Sequence, residues 1–439
     1  MFNPNLIFNP FLGNQAIIQN GIRYTYAELL DVVNDKRRVL NEHFNEPSLL
    51  LLRGDFTLHG IAWLLALLAE NHVVYLLASS KIVDITLWQH LGIQAQINSE
   101  ANRIDQFEVA SKSDAIYNLL QNKQGGLLFL SSGTSGEAKL ILHSSSRLLG
   151  KYNQSKKAFT TLGFLLFDHI AGFDTLMYTL HAGGTLVTLP NRQTNTVIQH
   201  LVDYKVEVLP TTPSFISLLL FEDKFTPAFL PHLKIITFGS ERMNSFTLER
   251  LLERFAHAVR CEQKYGLTEL GSLVLKSKPG DPSWIKLDNR FAAWKVIDNE
   301  LYIKTSSSLI AYIYPDSEKI CDDWFNTNDQ VVVDGEWIKI LGRNSDIINV
   351  GGQKVYPAEV EAVIQSMPNV LQVVVSAESH PLMGQVVKAT IQLDQMENEK
   401  TFKSSLRQYC KDKLASYKVP VIVNLSSSSL MTERFKAQR

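Results

Sequence analysis

The chain has 439 residues, 45% hydrophobic and 20% charged, with a formal net charge of -1. That length exceeds what one core usually holds, so two or more domains are expected. The near-balance of charge offers no attraction to nucleic acid or an anionic membrane, and the three scattered cysteines, Cys261, Cys321 and Cys410, show neither metal-ligand spacing nor a disulfide framework.

In chain order, MFNPNLIFNPFLGNQ lacks the basic start and continuous apolar core of a signal peptide, so a soluble, cytoplasmic protein is expected. TYAELLDVVNDKRRVLNEHF carries apolar residues at helical spacing, with Thr25 as cap and Glu28 three residues on. SLLLLRG predicts a short buried strand, FTLHGIAWLLALLAEN a mostly buried helix and VVYLLA another strand. Glu70, Asn71 and His72 interrupt this apolar region, leaving it too short to span a bilayer. GGLLFL, GTLVTLP, VEVLP, LKIITFG and VVVDGEWIKIL are further predicted strands. Strands separated by helices imply parallel sheets in a layered α/β architecture. Near residue 343 the character changes. GRNSDIINVGGQKVYPAEVEAVIQSM predicts a loop and short strand leading into a helix opened by Pro357. LQVVVSA, QVVKATIQL and the helical TFKSSLRQYCKDKLASY follow, which predicts a large α/β domain over 1–343 and a compact α+β domain over 344–439, divided near Ser345.

The stretch LLFLSSGTSGEAKLI (128–142) stands apart, because a buried strand ends in Ser131, Ser132, Gly133, Thr134, Ser135 and Gly136, with Lys139 beyond. Glycines let backbone N–H groups converge on an anion, hydroxyls add donors and a mobile lysine adds charge, so the loop suits a phosphate. Its spacing is not the Walker pattern.

This loop resembles the phosphate-binding signature of the adenylate-forming acyl ligases, which include acyl-CoA synthetases and the amino-acid-activating domains of peptide synthetases. Five further stretches resemble that superfamily's other signatures, in its order: FDHIAGFDTLMYTLHAGGTLV, LKIITFGSERM, QKYGLTELGS, NTNDQ and LGRNSDIINVGGQKVYPAEVE. LASYKVP and the terminal TERFKAQR complete the set, so the resemblance runs from about Thr25 to Arg439. It implies a large layered domain of mostly parallel sheets with a small mobile lid. The implied reaction begins with attack of a carboxylate on the α-phosphate of ATP, which needs positive charge focused there. Glu269 matches the holder of Mg2+, a hard ion that prefers oxygen ligands, and Thr268 the donor to the α-phosphate. Tyr265, next to Gly266, offers a face for adenine, and Gly239, Ser240 and Glu241 match the loop beside the base. Asp329 matches the acceptor of the ribose hydroxyls and Arg343 its partner. Lys436 matches the lysine that bridges attacking carboxylate and α-phosphate, a role suited to a point charge on a flexible stem.

The resemblance implies a second step, in which the lid rotates and a thiol of coenzyme A or of a carrier protein's phosphopantetheine takes the acyl group. Gly352 would then line the thiol tunnel and Lys354 could pair with a phosphate of coenzyme A or an acidic carrier. His169 and Gly172 match the acyl-ligase form of the acid pocket, and Phe167, Phe173 and Tyr178 fit a fatty or aromatic acid. Asp168 keeps open an alternative, an amino-acid-activating protein that grips an ammonium. A second alternative is a nucleotide-binding homologue without catalysis. It draws on departures from the pattern: Ala138 for the usual proline, Ser345 at the hinge, and Leu430 and Phe435 near Lys436. The region before the phosphate loop is also short.

Overall fold

A computed structural model describes residues 2–81, 88, 91–107, 113–131, 139–152, 157–256, 258–314, 324–432 and 436. Continuous apolar strands, able to be covered on both faces, make up two seven-stranded sheets. The first runs in the order Arg260–Gln263, Ile235–Phe238, Val208–Thr211, Thr160–Leu162, Thr185–Val187, Gln15–Gln19, Ile22–Thr25. All its neighbours are parallel except the terminal hairpin Gln15–Thr25. The second runs Ala311–Tyr314, Lys139–Ser144, Gly126–Ser131, Val73–Ala78, Leu49–Gly54, Ala95–Asn98, Arg103–Gln106, with a parallel centre and antiparallel edges.

The largest core cluster joins the helices Tyr26–His43, Leu58–Ala69 and Ile170–His181 to both sheets. Leu58–Ala69 is apolar on almost every side, and all of it but His59 is buried, as such a helix requires. Tyr26–His43 starts as its sequence predicts. Thr25 Oγ1 accepts from the Glu28 amide at 3.2 Å while Glu28 accepts from the Thr25 amide at 2.7 Å, a reciprocal capping box. Such a cap is worth about 1 kcal/mol.

Two expectations are corrected beyond residue 265. The chain there makes a six-stranded antiparallel sheet, in the order Leu275–Lys278, Asp281–Leu287, Trp337–Arg343, Phe325–Asp334, Glu300–Thr305, Ala292–Ile297, instead of continuing the parallel layers. VVVDGEWIKIL is accordingly a hairpin of two strands, not one strand. Gly335, at φ +59°, supplies the turn that an unbroken strand would not contain.

The C-terminal part forms a five-stranded sheet with the helices Pro357–Gln365 and Glu399–Lys413 and its own core, including Val360, Ile364, Phe402 and Leu406. Pro357 stands at the first helical turn, where its missing N–H costs nothing. No described helix is long and apolar enough to cross a membrane.

Gly172 decides how Ile170–His181 enters the core. A Cβ there would lie 1.9 Å from the Leu166 carbonyl oxygen, so any larger residue must push the helix off the preceding turn. Gly172→Ala is expected to cost about 2 kcal/mol or more, read as a lower midpoint in urea at unchanged slope. A midpoint equal to that of the parent protein would contradict this packing.

Candidate functional site

A cavity of about 1640 Å³ opens at the carboxyl ends of the first sheet's parallel strands, where open α/β sheets bind ligands. Its walls also include the hairpin of the second sheet, the antiparallel sheet and the C-terminal residue Lys436.

At one side, Ser131 and Lys139 face each other in register across the hairpin of Gly126–Ser131 and Lys139–Ser144, and both line the cavity. Ser132, Gly133, Thr134, Ser135 and Gly136 lie outside the described residues. Lys139 Nζ sits 4.9 Å from the centre of the Tyr312 ring, and Tyr312 Oη is 3.5 Å from Glu269 Oε1. Tyr312 reaches this place because Ala311–Tyr314 leaves the antiparallel sheet to pair with Lys139–Ser144.

Thr268 and Glu269 form the tip of a tight hairpin between Gly266–Leu267 and Gly271–Ser272. Gly266 is needed because a Cβ would meet the Gly271 carbonyl oxygen at 2.5 Å. The tip is pinned from behind: the Leu309 amide donates to the Glu269 carbonyl at 2.7 Å and the Ser307 hydroxyl to the Leu270 carbonyl at 2.7 Å. His143, fully buried, places Nε2 2.6 Å from the Thr268 carbonyl oxygen and Nδ1 3.1 Å from that of Ser307. Burial pushes its pKa down to about 4 despite these backbone contacts, so the ring is neutral at physiological pH and donates to one carbonyl.

Asp329 and Arg343 are cross-strand partners, with Arg343 Nε 3.8 Å from Asp329 Oδ1. Tyr265 donates its hydroxyl to Asp329 Oδ2 at 2.6 Å. Burial lifts the Asp329 carboxyl to about 6; the Tyr265 bond and Arg343 oppose the rise, while Asp346 adds to it. All four residues line the cavity, as does Gly266.

The loop Gly239, Ser240 and Glu241 also lines it. A Cβ on Gly239 would meet the Lys264 carbonyl oxygen at 2.7 Å, so glycine is required there for the backbone packing between neighbouring strand ends. Glu241 Oε1 accepts from the Ser214 amide at 2.6 Å, so the carboxylate ties this loop to the helix Pro213–Leu219. Ser240 is held at φ +71°, a conformation costing a side chain about 1 kcal/mol or more.

His169 caps Ile170–His181, its Nδ1 accepting from the Ala171 amide at 3.3 Å, and lines the cavity. Asp168, only 2% exposed, pairs with Lys81 at 2.5 Å and is not among the residues that line the cavity. Phe167 and Phe173 belong to the core, so of the three suggested acid-pocket aromatics Tyr178 alone lines the cavity. Lys436 lines it too, in a turn closed by the Thr432 amide donating to the Lys436 carbonyl at 2.8 Å. Gly352 and Lys354 are not brought to the site. Gly351 and Gly352, at φ +55° and +87°, form an exposed turn between Ile348–Val350 and Gln353–Val355.

Sequence reasoning missed Tyr312 and the pair Lys151 and Asp174, whose cavity positions depend on strands and helices far apart in the chain, and also His143, buried behind the Thr268 turn. For Tyr312 the signal was the short apolar run LIAYIY, which could have been read as a strand. For the others no local pattern marks them.

Residues 81–304 match the family model described as AMP-binding enzyme, and residues 359–436 the model of the AMP-binding enzyme C-terminal domain. A 2-succinylbenzoate–CoA ligase of Bacillus licheniformis is 26% identical over 320 residues, covering 67% of this chain and 64% of that protein. The long-chain-fatty-acid–CoA ligase FadD13 of Mycobacterium tuberculosis is 26% identical over 321 residues, covering 67% of this chain and 62% of that protein. The matched stretch therefore spans less than two thirds of the length of either relative. The crystal structure of the anthranilate CoA ligase AuaEII in complex with anthranoyl-AMP shares the fold, at a TM-score of 0.82 and 16% identity over 100% of this chain and 96% of the other. With the matched model at 81–304 alone covering half of its length, this chain belongs to the AMP-binding enzyme family.

Proposed function

We propose that the protein is an AMP-forming acid–thiol ligase. It joins a carboxylic acid to the α-phosphate of ATP, releases pyrophosphate, and then passes the acyl group to a thiol. The observation that carries this reading is the convergence of Lys139, Thr268, Glu269, Asp329, Arg343 and Lys436 on one cavity. Two anions must meet in the first step, so cations on both sides of the reacting phosphorus lower its barrier. Lys139 and Ser131 stand at the base of the glycine-rich loop and take the outer phosphates. Thr268 donates its hydroxyl to the α-phosphate from a turn that His143 keeps still. Asp329 and Arg343 hold the ribose, and Tyr265 fixes Asp329 from the side. Lys436 bridges the carboxylate and the α-phosphate.

Glu269 fits a Mg2+ ion, since such an ion takes one or two carboxylates and fills its remaining positions with phosphate and water oxygens. The ion would neutralise charge on the phosphates.

The acids named for the relatives, 2-succinylbenzoate and long-chain fatty acids, support an aromatic or fatty substrate. The placement of Asp168 against Lys81 disfavours an amino acid. For the second step we place a hinge near Ser345, between domains at 1–343 and 344–439. Rotation there withdraws Lys436 and carries Gly352 and Lys354 towards the cavity, to meet coenzyme A or a carrier protein's phosphopantetheine. ATP and such thiols are both abundant in the cytoplasm, where we place the reaction.

Lys436→Ala is expected to lower ATP–pyrophosphate exchange by about 100-fold or more with no change in melting temperature; undiminished exchange would refute the bridging role. Gly352→Leu should leave exchange intact and stop thioester formation, whereas equal loss of both steps would argue against the hinge. Asp329 sets a pH dependence. Its raised carboxyl favours the folded protein while protonated, a contribution complete below the ordinary carboxylate range and lost as pH rises through about 6. Binding runs the other way, because the carboxylate accepts hydroxyls better than the acid. Calorimetry with adenosine, which does not titrate nearby, should show tighter binding above that value than below it. Asp329→Asn should abolish the step, and a step surviving in that variant would assign it to another group.

A further inference from the structure

The acid end of the cavity has an unusual wall. On Ile170–His181, the residues Ala171, Asp174, Thr175 and Tyr178 fall on one helical face and line the cavity, while Phe173, Leu176, Met177 and Leu180 point into the core. This polar helix face meets the partly open cavity shared with the nucleotide site.

The hydrogen bonds along it are one-sided. Lys151 Nζ donates to the Ser272 carbonyl at 2.7 Å and pairs with Asp174 Oδ1; the Tyr152 hydroxyl donates to the same oxygen at 2.5 Å. Thr175 donates to the Ala171 carbonyl at 2.9 Å and Thr179 to the Thr175 carbonyl at 2.8 Å. These donors are turned into the wall, while all the contacts to Asp174 fall on Oδ1 and leave its second carboxylate oxygen to face the cavity side. Exposure agrees, with the Asp174 side chain 27% exposed and that of Lys151 12%. Burial disfavours charge on Asp174, but Lys151, Tyr152 and the more distant Lys264 outweigh it and hold the carboxyl below its usual range.

From this geometry we propose that the substrate is a carboxylic acid bearing a hydrogen-bond donor, an amino or hydroxyl group, on an aromatic or short frame, and that Asp174 with Lys151 and Tyr152 behind it determines this specificity. The inference rests on the acid-activating reading above. An unsubstituted chain laid on this wall would strip water from a carboxylate without replacing its hydrogen bond. A site built to bond a substrate hydroxyl or amine rejects the analogue that lacks it far more strongly than an apolar pocket rejects an extra group.

The test is ATP–pyrophosphate exchange by the full chain with matched acids: benzoate against each ring isomer of aminobenzoate and hydroxybenzoate, and octanoate against its hydroxylated forms. At least one donor-bearing acid is expected to exceed its parent in kcat/KM by about tenfold to a hundredfold. The double variant Lys151→Met with Asp174→Leu replaces the ion pair by apolar side chains, a change proteins often tolerate. It should erase or invert that ratio while adenosine binding and melting temperature hold. If it does not fold, Asp174→Asn, similar in shape but uncharged, should still narrow the ratio. Best turnover of benzoate or octanoate by the parent protein, or a preference that survives in the variants, would overturn the specificity and leave acid activation standing. Silence with every acid, despite adenosine binding, would instead overturn the activation on which it rests.

Discussion

The 2.6 Å contact between His143 and the Thr268 carbonyl holds together the parts on which the site depends. His143 sits on a strand of the second sheet, Thr268 on the tight hairpin at the antiparallel sheet's edge, and Ser307, at the other ring nitrogen, just after Glu300–Thr305. One buried imidazole therefore spans three pieces of chain more than a hundred residues apart at the extremes. The carbonyl that accepts the ring N–H would otherwise lie in a dry interior, where an unmet hydrogen bond costs about 1–3 kcal/mol. Because the ring stays neutral, the junction carries no charge to disturb the phosphate side, where cations are needed.

Charge at the cavity is arranged by burial as much as by type. Asp329 sits against Tyr265 and Arg343, and desolvation lifts its carboxyl to about 6 even so. Asp174 is only half-buried, and although burial disfavours its charge, Lys151 and Tyr152 hold the carboxyl below its usual range. The difference is partner distance: Arg343 Nε stands 3.8 Å from Asp329, whereas Lys151 is in direct contact with Asp174. Buried ion pairs are weak evidence for stability, since the desolvation of two charges offsets much of their attraction. Their persistence on the wall of a cavity points to recognition.

Much of the architecture was legible from local pattern. The helices Tyr26–His43 and Leu58–Ala69, the parallel strands Leu49–Gly54, Val73–Ala78, Thr185–Val187, Val208–Thr211 and Ile235–Phe238, and the helix opened by Pro357 follow from apolar spacing, capping residues and proline geometry, whereas the short strands Gln15–Gln19, Ala95–Asn98 and Thr160–Leu162 do not. The antiparallel sheet was harder, because its hairpins carry apolar residues of the same kinds and pairing direction is not written in alternation. Within VVVDGEWIKIL the turn at Gly335 was the available signal, and the surrounding β-branched residues hid it.

The sequence by itself determined which chemical groups the chain possesses and their order, from Ser131 and Lys139 through Thr268 and Glu269 to Lys436, and the local elements that carry them. Tertiary structure alone decided which of those groups share a space. Asp168 and His169 are neighbours in the chain, yet one is turned inward against Lys81 and the other outward to the cavity. Lys139, Tyr312 and Glu269 form a row because two strands more than 160 positions apart pair within the second sheet, and Asp174 meets Lys151 because a helix packs beside a turn. Bonding, desolvation and pKa depend on distances of a few ångströms, and across long separations in sequence only the packing of sheets and helices sets such distances.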